Sequence, residues 1–213
     1  AQYMAGRQAD ALANEAHAAR LTDKEHVSVV IAIRAMVASA LVFNKRTEEG
    51  ARVFEAALAL ARAQDEKLAS DIKLAAGSHN LANELMERKQ RSPAEDALML
   101  SAAQASKEFW LKCGTWENEE RGDCMLALVH NKQGQPDKAL ECCALALKVI
   151  SANGGEVVDE AFVNLAMSDA YRIKHDRGAY DGALKRADEL AATFPDDGLK
   201  SWFAQDRAKV EWS

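Results

Sequence analysis

The sequence predicts an all-α protein of nine to ten helices arranged as helical hairpins. Three observations predict it. Nearly half of the 213 residues are hydrophobic, and alanine makes up much of that share while aromatics supply only 6%. Alanine is the strongest helix former and lets helix axes approach closely. Eleven glycines and three prolines are too few for the turn punctuation of an all-β or Rossmann-like chain. Finally, the chain resembles itself at a long period.

The helices are read from their boundaries. Thr22 with Glu25 forms a capping box, as does Ser92 with Glu95, where Pro93 takes the first helical position. Thr47 before Glu48 and Glu49 reads as an N-cap followed by acids that suit the positive end of the helix dipole. Gly114-Thr115 reads as one helix stopping and the next being capped. Gly134 with Pro136, Gly154-Gly155 and Pro195 to Gly198 mark further turns. These signals predict helices over 2–20, 24–44, 48–64, 67–90, 93–112, 116–133, 136–151, 156–175, 179–193 and 198–210. The hairpins are 24–64, 67–112, 116–151 and 156–193, between an N-terminal helix and a C-terminal capping helix. With no long linker or low-complexity tract, the expectation is one domain over 1–213. In the capping helix, Trp202, Phe203 and Val210 are expected to cover the last hairpin, with Lys200, Asp206, Arg207 and Lys209 facing water.

The net charge of −6 comes from interspersed acids and bases, without the clustered basic footprint of a nucleic-acid binder. Val27 to Phe43 is the most apolar stretch, but Arg34 and Ser39 interrupt it. It falls short of the ~20 apolar residues of a membrane span, so a helix sandwiched between neighbours is expected. Four cysteines (Cys113, Cys124, Cys142, Cys143) are too sparse for a disulfide framework and suit a reducing compartment. A cytoplasmic location is expected on that basis. The start at Ala-Gln, without Met, keeps an excised domain or a periplasmic or secreted chain after signal removal as the alternative.

Catalytic and metal motifs are missing from the sequence. The five histidines are dispersed, no phosphate loop or nucleophile elbow occurs, and Cys124, His130 and Cys142 or Cys143 lack tight ligand spacing. Glu117, Glu119 and Glu120 are expected to be solvated carboxylates complementing a helix dipole. The expectation is a protein that is not an enzyme and holds no metal or cofactor.

Three segments share one shape: Gly50 to Leu58 (GARVFEAAL), Ala139 to Leu147 (ALECCALAL) and Ala183 to Ala191 (ALKRADELA). In each, a small residue recurs seven or eight positions after the first, on one helix face, as close helix packing requires. A looser fourth copy lies around Ala94 to Ala102. Together with Leu126-Ala127, the turn Lys132-Gln133-Gly134-Gln135-Pro136, and Ala139 and Ala146, the chain resembles the tetratricopeptide repeat family over about residues 5 to 195. The other units lack that family's aromatic positions and glycine. Equivalent positions are about 42 to 47 residues apart, against about 34 in the family, which resembles its longer variety.

The resemblance implies a right-handed solenoid whose first helices line a concave groove for a peptide or helical segment. Carried over by helix register, the groove residues would be His79, Asn80, Asn83, Met86 and Glu87, then Cys124, Met125, Leu128, Asn131 and Lys132, then Phe162, Leu165, Asp169 and Arg172. Ala35, Met36, Ser39, Val42 and Phe43 would form an apolar end. Asparagine amides both donate and accept, so they can pair with the backbone of an extended peptide. Of the family's carboxylate clamp only Asn83 is in place, with His79 where a lysine is expected; Lys132 and Arg172 would attract an acidic ligand by charge alone. Two other readings of the chain stand beside this scaffold. One is a self-associating array using the 27–43 helix or the ends near Trp110 and Trp116. The other is a ligand-sensing domain of a larger signalling protein.

Overall fold

The computed structural model of the chain describes residues 2–20 and 26–212. The described residues form ten α-helices and no strand: α1 Gln8–Arg20, α2 His26–Phe43, α3 Thr47–Arg62, α4 Asp71–Met86, α5 Pro93–Cys113, α6 Trp116–Lys132, α7 Pro136–Ala152, α8 Val157–Ile173, α9 Arg177–Ala191 and α10 Asp197–Ala208. The all-α class and the order of helices are those the sequence predicts. The Thr22–Glu25 capping box lies outside the described residues.

Where boundaries differ, local hydrogen bonds explain the shift. Gly6, at φ 73°, closes a turn through its N–H to Tyr3 O, so α1 starts at Gln8 and not at residue 2. α4 is shorter than the predicted 67–90, because the Asp71 carboxylate accepts the Leu68 N–H at 2.9 Å and holds the preceding residues in a turn. At its other end Arg88 N–H bonds the Leu85 carbonyl, tightening the last turn. Thr47 is the first helical residue of α3, not its cap. Arg46 takes the cap position, its carbonyl accepting the Gly50 N–H at 2.9 Å. The Ser92–Glu95 capping box forms as read, with Ser92 N–H donating to Glu95 Oε2 at 2.7 Å.

Three turns between paired helices share one geometry. Lys45, Gly134 and His175 adopt φ of 61°, 66° and 57°. In each turn the next residue donates its N–H five residues back, Arg46 to Leu41 O, Gln135 to His130 O and Asp176 to Tyr171 O, at 2.9–3.0 Å. Only one of the three positions is glycine, so the sequence marks one turn clearly and hides the other two.

The chain divides into two compact units, one ending at Gly114 and one starting at Thr115. In the first, α2 pairs with α3 and α4 with α5; α2 also packs on α4, α3 on α5, and α1 on α2. The bonds between these hairpins keep a nearly constant separation in sequence. Arg88 reaches Val42 O, Ser101 reaches Glu55 and Arg62 reaches Glu108 across 46 residues each, and Thr47 reaches Glu95 across 48. A constant offset means that equivalent helices run parallel and the second hairpin is a translated copy of the first. In the second unit α6 pairs with α7 and α8 with α9, with α8 against both α6 and α7. There the separations are 38 (Arg121–Asp159), 35 (Asn131–Ala166 O) and 37 (Lys174–Asp137).

Small residues set how closely the helices approach. Gly50, Ala57, Ala139, Ala146, Ala183 and Leu190 are buried. A methyl group on Gly50 would stand 2.6 Å from Val42 Cγ2 and 2.9 Å from the Ala38 carbonyl, so α3 rests almost directly on the α2 backbone. Phe54, Leu58, Leu81, Leu85, Met99 and Phe109 fill the first unit; such side chains contribute about 1.5–3 kcal/mol each when fully buried. The second unit holds an alanine-rich core that includes Cys143 and Ile150. Its C-terminal end is an aromatic cluster in which Phe162 meets Trp202 at 4.6 Å and Phe203 at 5.6 Å. Phe203 covers the last hairpin as expected, whereas Trp202 is half exposed. Arg207 does not simply face water: it pairs with Asp188 at 3.1 Å.

α2 is long and apolar enough to cross a membrane by length and composition. Its Arg34 is held by the buried carboxylate of Glu15 on α1, at 3.0 and 3.1 Å.

Candidate functional site

The first unit presents the most distinctive surface. On α2, Ile31, Ala35, Ala38, Leu41 and Val42 turn inward, and Met36 and Phe43 are left 69% and 73% exposed. Large apolar side chains this open, one helical turn pair apart, form a stripe along the helix. The near-constant offset between the hairpins sets α4 beside α2 and parallel to it, so Asn80 and Asn83 lie on the helix that flanks this one. Asn80 is exposed one turn earlier and Asn83 is half-buried, and neither amide has a hydrogen bond among the described residues. His79 is half-buried and Glu87 exposed, both with partners of their own. Met86 is buried and belongs to the core of the unit rather than to a groove. Ala35 and Val42 are likewise interior, and Ser39 is turned back onto the Ala35 carbonyl at 3.3 Å.

In the second unit the predicted groove residues separate into interior and surface. Met125, Asn131 and Leu165 are buried. Asn131 is a structural clamp: its amide donates to the Ala166 carbonyl at 2.8 Å and so joins α6 to α8. That bond spends one of its two N–H donors, and burial withholds the rest of the amide from a surface ligand. Leu128 is at the surface, Lys132 is exposed, and Cys124 is half-buried. Burial pushes the Cys124 thiol well above its ordinary value, and Cys143 is pushed up to about 12 by the same cause. Arg172 is spent on its neighbour, donating to Asp169 from Nε and Nη2 at 2.9 and 2.5 Å, which cancels the charge expected to attract an acidic ligand. Phe162 lies within the aromatic cluster. Trp116 packs half-buried against the alanine-rich core.

One chemically unusual residue was misread from sequence. Glu120, expected to be solvated, is completely buried. Burial, then the neighbouring Asp159 carboxyl, raises it to about 9. The nearest cation, Arg121, stands 3.4 Å from Glu120 Oε1 but is directed at Asp159, at 3.0 and 2.8 Å. Burial and the nearby Asp159 carboxyl thus both favour the protonated form of Glu120 at neutral pH, and neither of its carboxyl oxygens has a hydrogen-bond partner among the described residues. The signal was in the register. Glu120, Asp123, Ala127 and His130 are all buried at spacings of three, four and three, the inward stripe of α6. His130 is pushed down from its ordinary value by that burial.

Comparison with protein-family models, with curated proteins and with solved structures finds no match to this chain.

Proposed function

We propose that the chain is a peptide-binding module and not an enzyme, with the α2–α4 face of the first unit as its site. The observation that carries this reading is the exposed Met36–Phe43 stripe on α2, with Asn80 and Asn83 on the neighbouring α4. Apolar side chains supply affinity and selectivity, and asparagine amides can satisfy the backbone of a bound segment. The tetratricopeptide resemblance supports it: equivalent helices keep a near-constant offset within each unit, 46 residues in the first and 35 to 38 in the second, as stacked hairpins require. On this reading the hairpins have that family's right-handed superhelical sense, and Leu128 and Lys132 belong to secondary contacts.

The test is selection of peptides from a random displayed library on the full chain. Selected peptides are then measured by fluorescence anisotropy against Met36→Lys/Phe43→Lys and Asn83→Ala. Both α2 positions are exposed, so the lysine pair leaves helicity intact. Loss of about tenfold or more in affinity, near 1.4 kcal/mol, is expected for the lysine pair. Equal binding by the variant overturns the assignment. The same stripe favours a second reading, self-association. A sedimentation mass that rises with concentration in the wild type but not in the lysine variant would establish it.

A further inference from the structure

A second site lies in the first unit, away from the Met36–Phe43 stripe. A half-open cleft of about 220 Å³ is formed by the segment leading into α1, by α1 itself, and by α2 and α3. Its apolar wall is Leu12, Leu41 and Val53, and its polar rim includes Tyr3, Arg34, Glu49 and Arg52.

The two acids at or behind this rim are already neutralised. Glu15, buried, takes the Tyr3 hydroxyl at 2.6 Å on one oxygen and Arg34 Nε and Nη2 on the other. Glu49 takes Arg46 Nε and Nη2 at 2.7 Å each, and Arg46 Nη1 also donates to Met4 O, fastening the leading segment to the start of α3. Two guanidinium groups therefore make the hydrogen bonds to the two carboxylates, and Arg52, whose charge also acts on Glu49, is the third cation against these two acids. It is exposed and has no ion pair among the described residues. Arg34 also keeps Nη1 without a hydrogen bond among those residues. The Tyr3 phenol, raised to about 12 by burial and by Glu15, keeps its proton throughout the neutral range and spends it on Glu15.

A concave space with an aliphatic wall and a surplus guanidinium on its rim selects an apolar body carrying one negative charge. Its volume is below the roughly 300–1,000 Å³ of pockets for drug-sized ligands, which suits a small molecule and not a peptide. We propose that this cleft binds a small aliphatic or aromatic organic anion, its carboxylate on Arg52 and its body against Leu12, Leu41 and Val53. The site is independent of the peptide-binding reading, since Met36, Phe43, Asn80 and Asn83 take no part in it.

The test is titration of the full ¹⁵N-labelled chain with hexanoate, hexan-1-ol and hexylamine, three probes with one apolar body and different charge. Backbone amide and arginine Nε resonances are followed in the wild type, Arg52→Gln and Arg52→Lys. Hexanoate is expected to shift residues around Leu12, Leu41 and Val53, binding about tenfold more weakly to Arg52→Gln and nearly as well to Arg52→Lys. Hexylamine is expected to shift none of them. The proposal is overturned if hexanol and hexanoate bind alike, if Arg52→Gln binds as the wild type does, if the shifts gather at Met36 and Phe43, or if millimolar hexanoate shifts nothing. Circular dichroism of each variant separates loss of the site from loss of the fold.

Discussion

Glu120 gives the second unit a dependence on pH that a solvated glutamate would not give. In the folded chain it keeps its proton up to about 9, because it is fully buried and faces Asp159. In the unfolded chain it releases that proton near the ordinary glutamate value, about 4.3. Between the two values the folded state binds more protons than the unfolded one, so stability falls as pH rises. The contribution is complete below the unfolded value and gone once pH has passed the folded one. Each pH unit inside the window is worth up to about 1.4 kcal/mol, so raising the pH from about 6 to about 9 removes up to about 4 kcal/mol. Glu120→Gln keeps the shape but has nothing to titrate. Urea unfolding of both proteins, followed by tryptophan fluorescence and circular dichroism, measures the difference. The wild type should lose stability relative to Glu120→Gln steadily across the window, with the gap widening toward high pH. Parallel pH profiles for the two proteins would refute the buried, protonated state of Glu120.

Three further outcomes follow from the packing. Ala139→Leu or Ala146→Leu should overpack the α6–α7 hairpin and cost about 1–3 kcal/mol in denaturant unfolding, since both alanines are fully buried; unchanged stability would mean the repeat register is wrong. Gly50→Ala should destabilise the first unit by a similar 1–3 kcal/mol, because its new methyl meets the Ala38 carbonyl and backbone cannot step aside as a side chain can. His175→Gly should stabilise by about 0.5–1 kcal/mol, seen as a higher Tm by calorimetry. Relief of the left-handed strain at φ 57° exceeds the entropy that glycine adds to the unfolded chain. A lower Tm would place the turn's preference elsewhere.

Helix positions were legible because their signals are local. A capping serine with its glutamate, a proline at the first turn and a period near 3.6 are properties of a few neighbouring residues, and the structure keeps nearly every boundary they mark. The boundaries that differ do so where one local hydrogen bond competes with another. Asp71 spends its carboxylate on Leu68 N–H and shortens α4, and Arg46 displaces Thr47 as cap. Two left-handed turns at Lys45 and His175 carry no glycine to announce them.

The candidate site divides in the same way. Local pattern is enough to say that the chain is helical, that small residues recur where hairpins must close, and which helices carry the asparagines and the apolar residues. Which face of each helix meets a neighbour is set by the packing. It turned Asn131, Met86 and Met125 inward, paired Arg172 with Asp169, left Met36 and Phe43 in the open, and buried Glu120 against Asp159. The physical reason is that helix formation is settled by bonds four residues apart, whereas burial and ionisation depend on partners 35 to 46 residues away, whose offset no local pattern encodes.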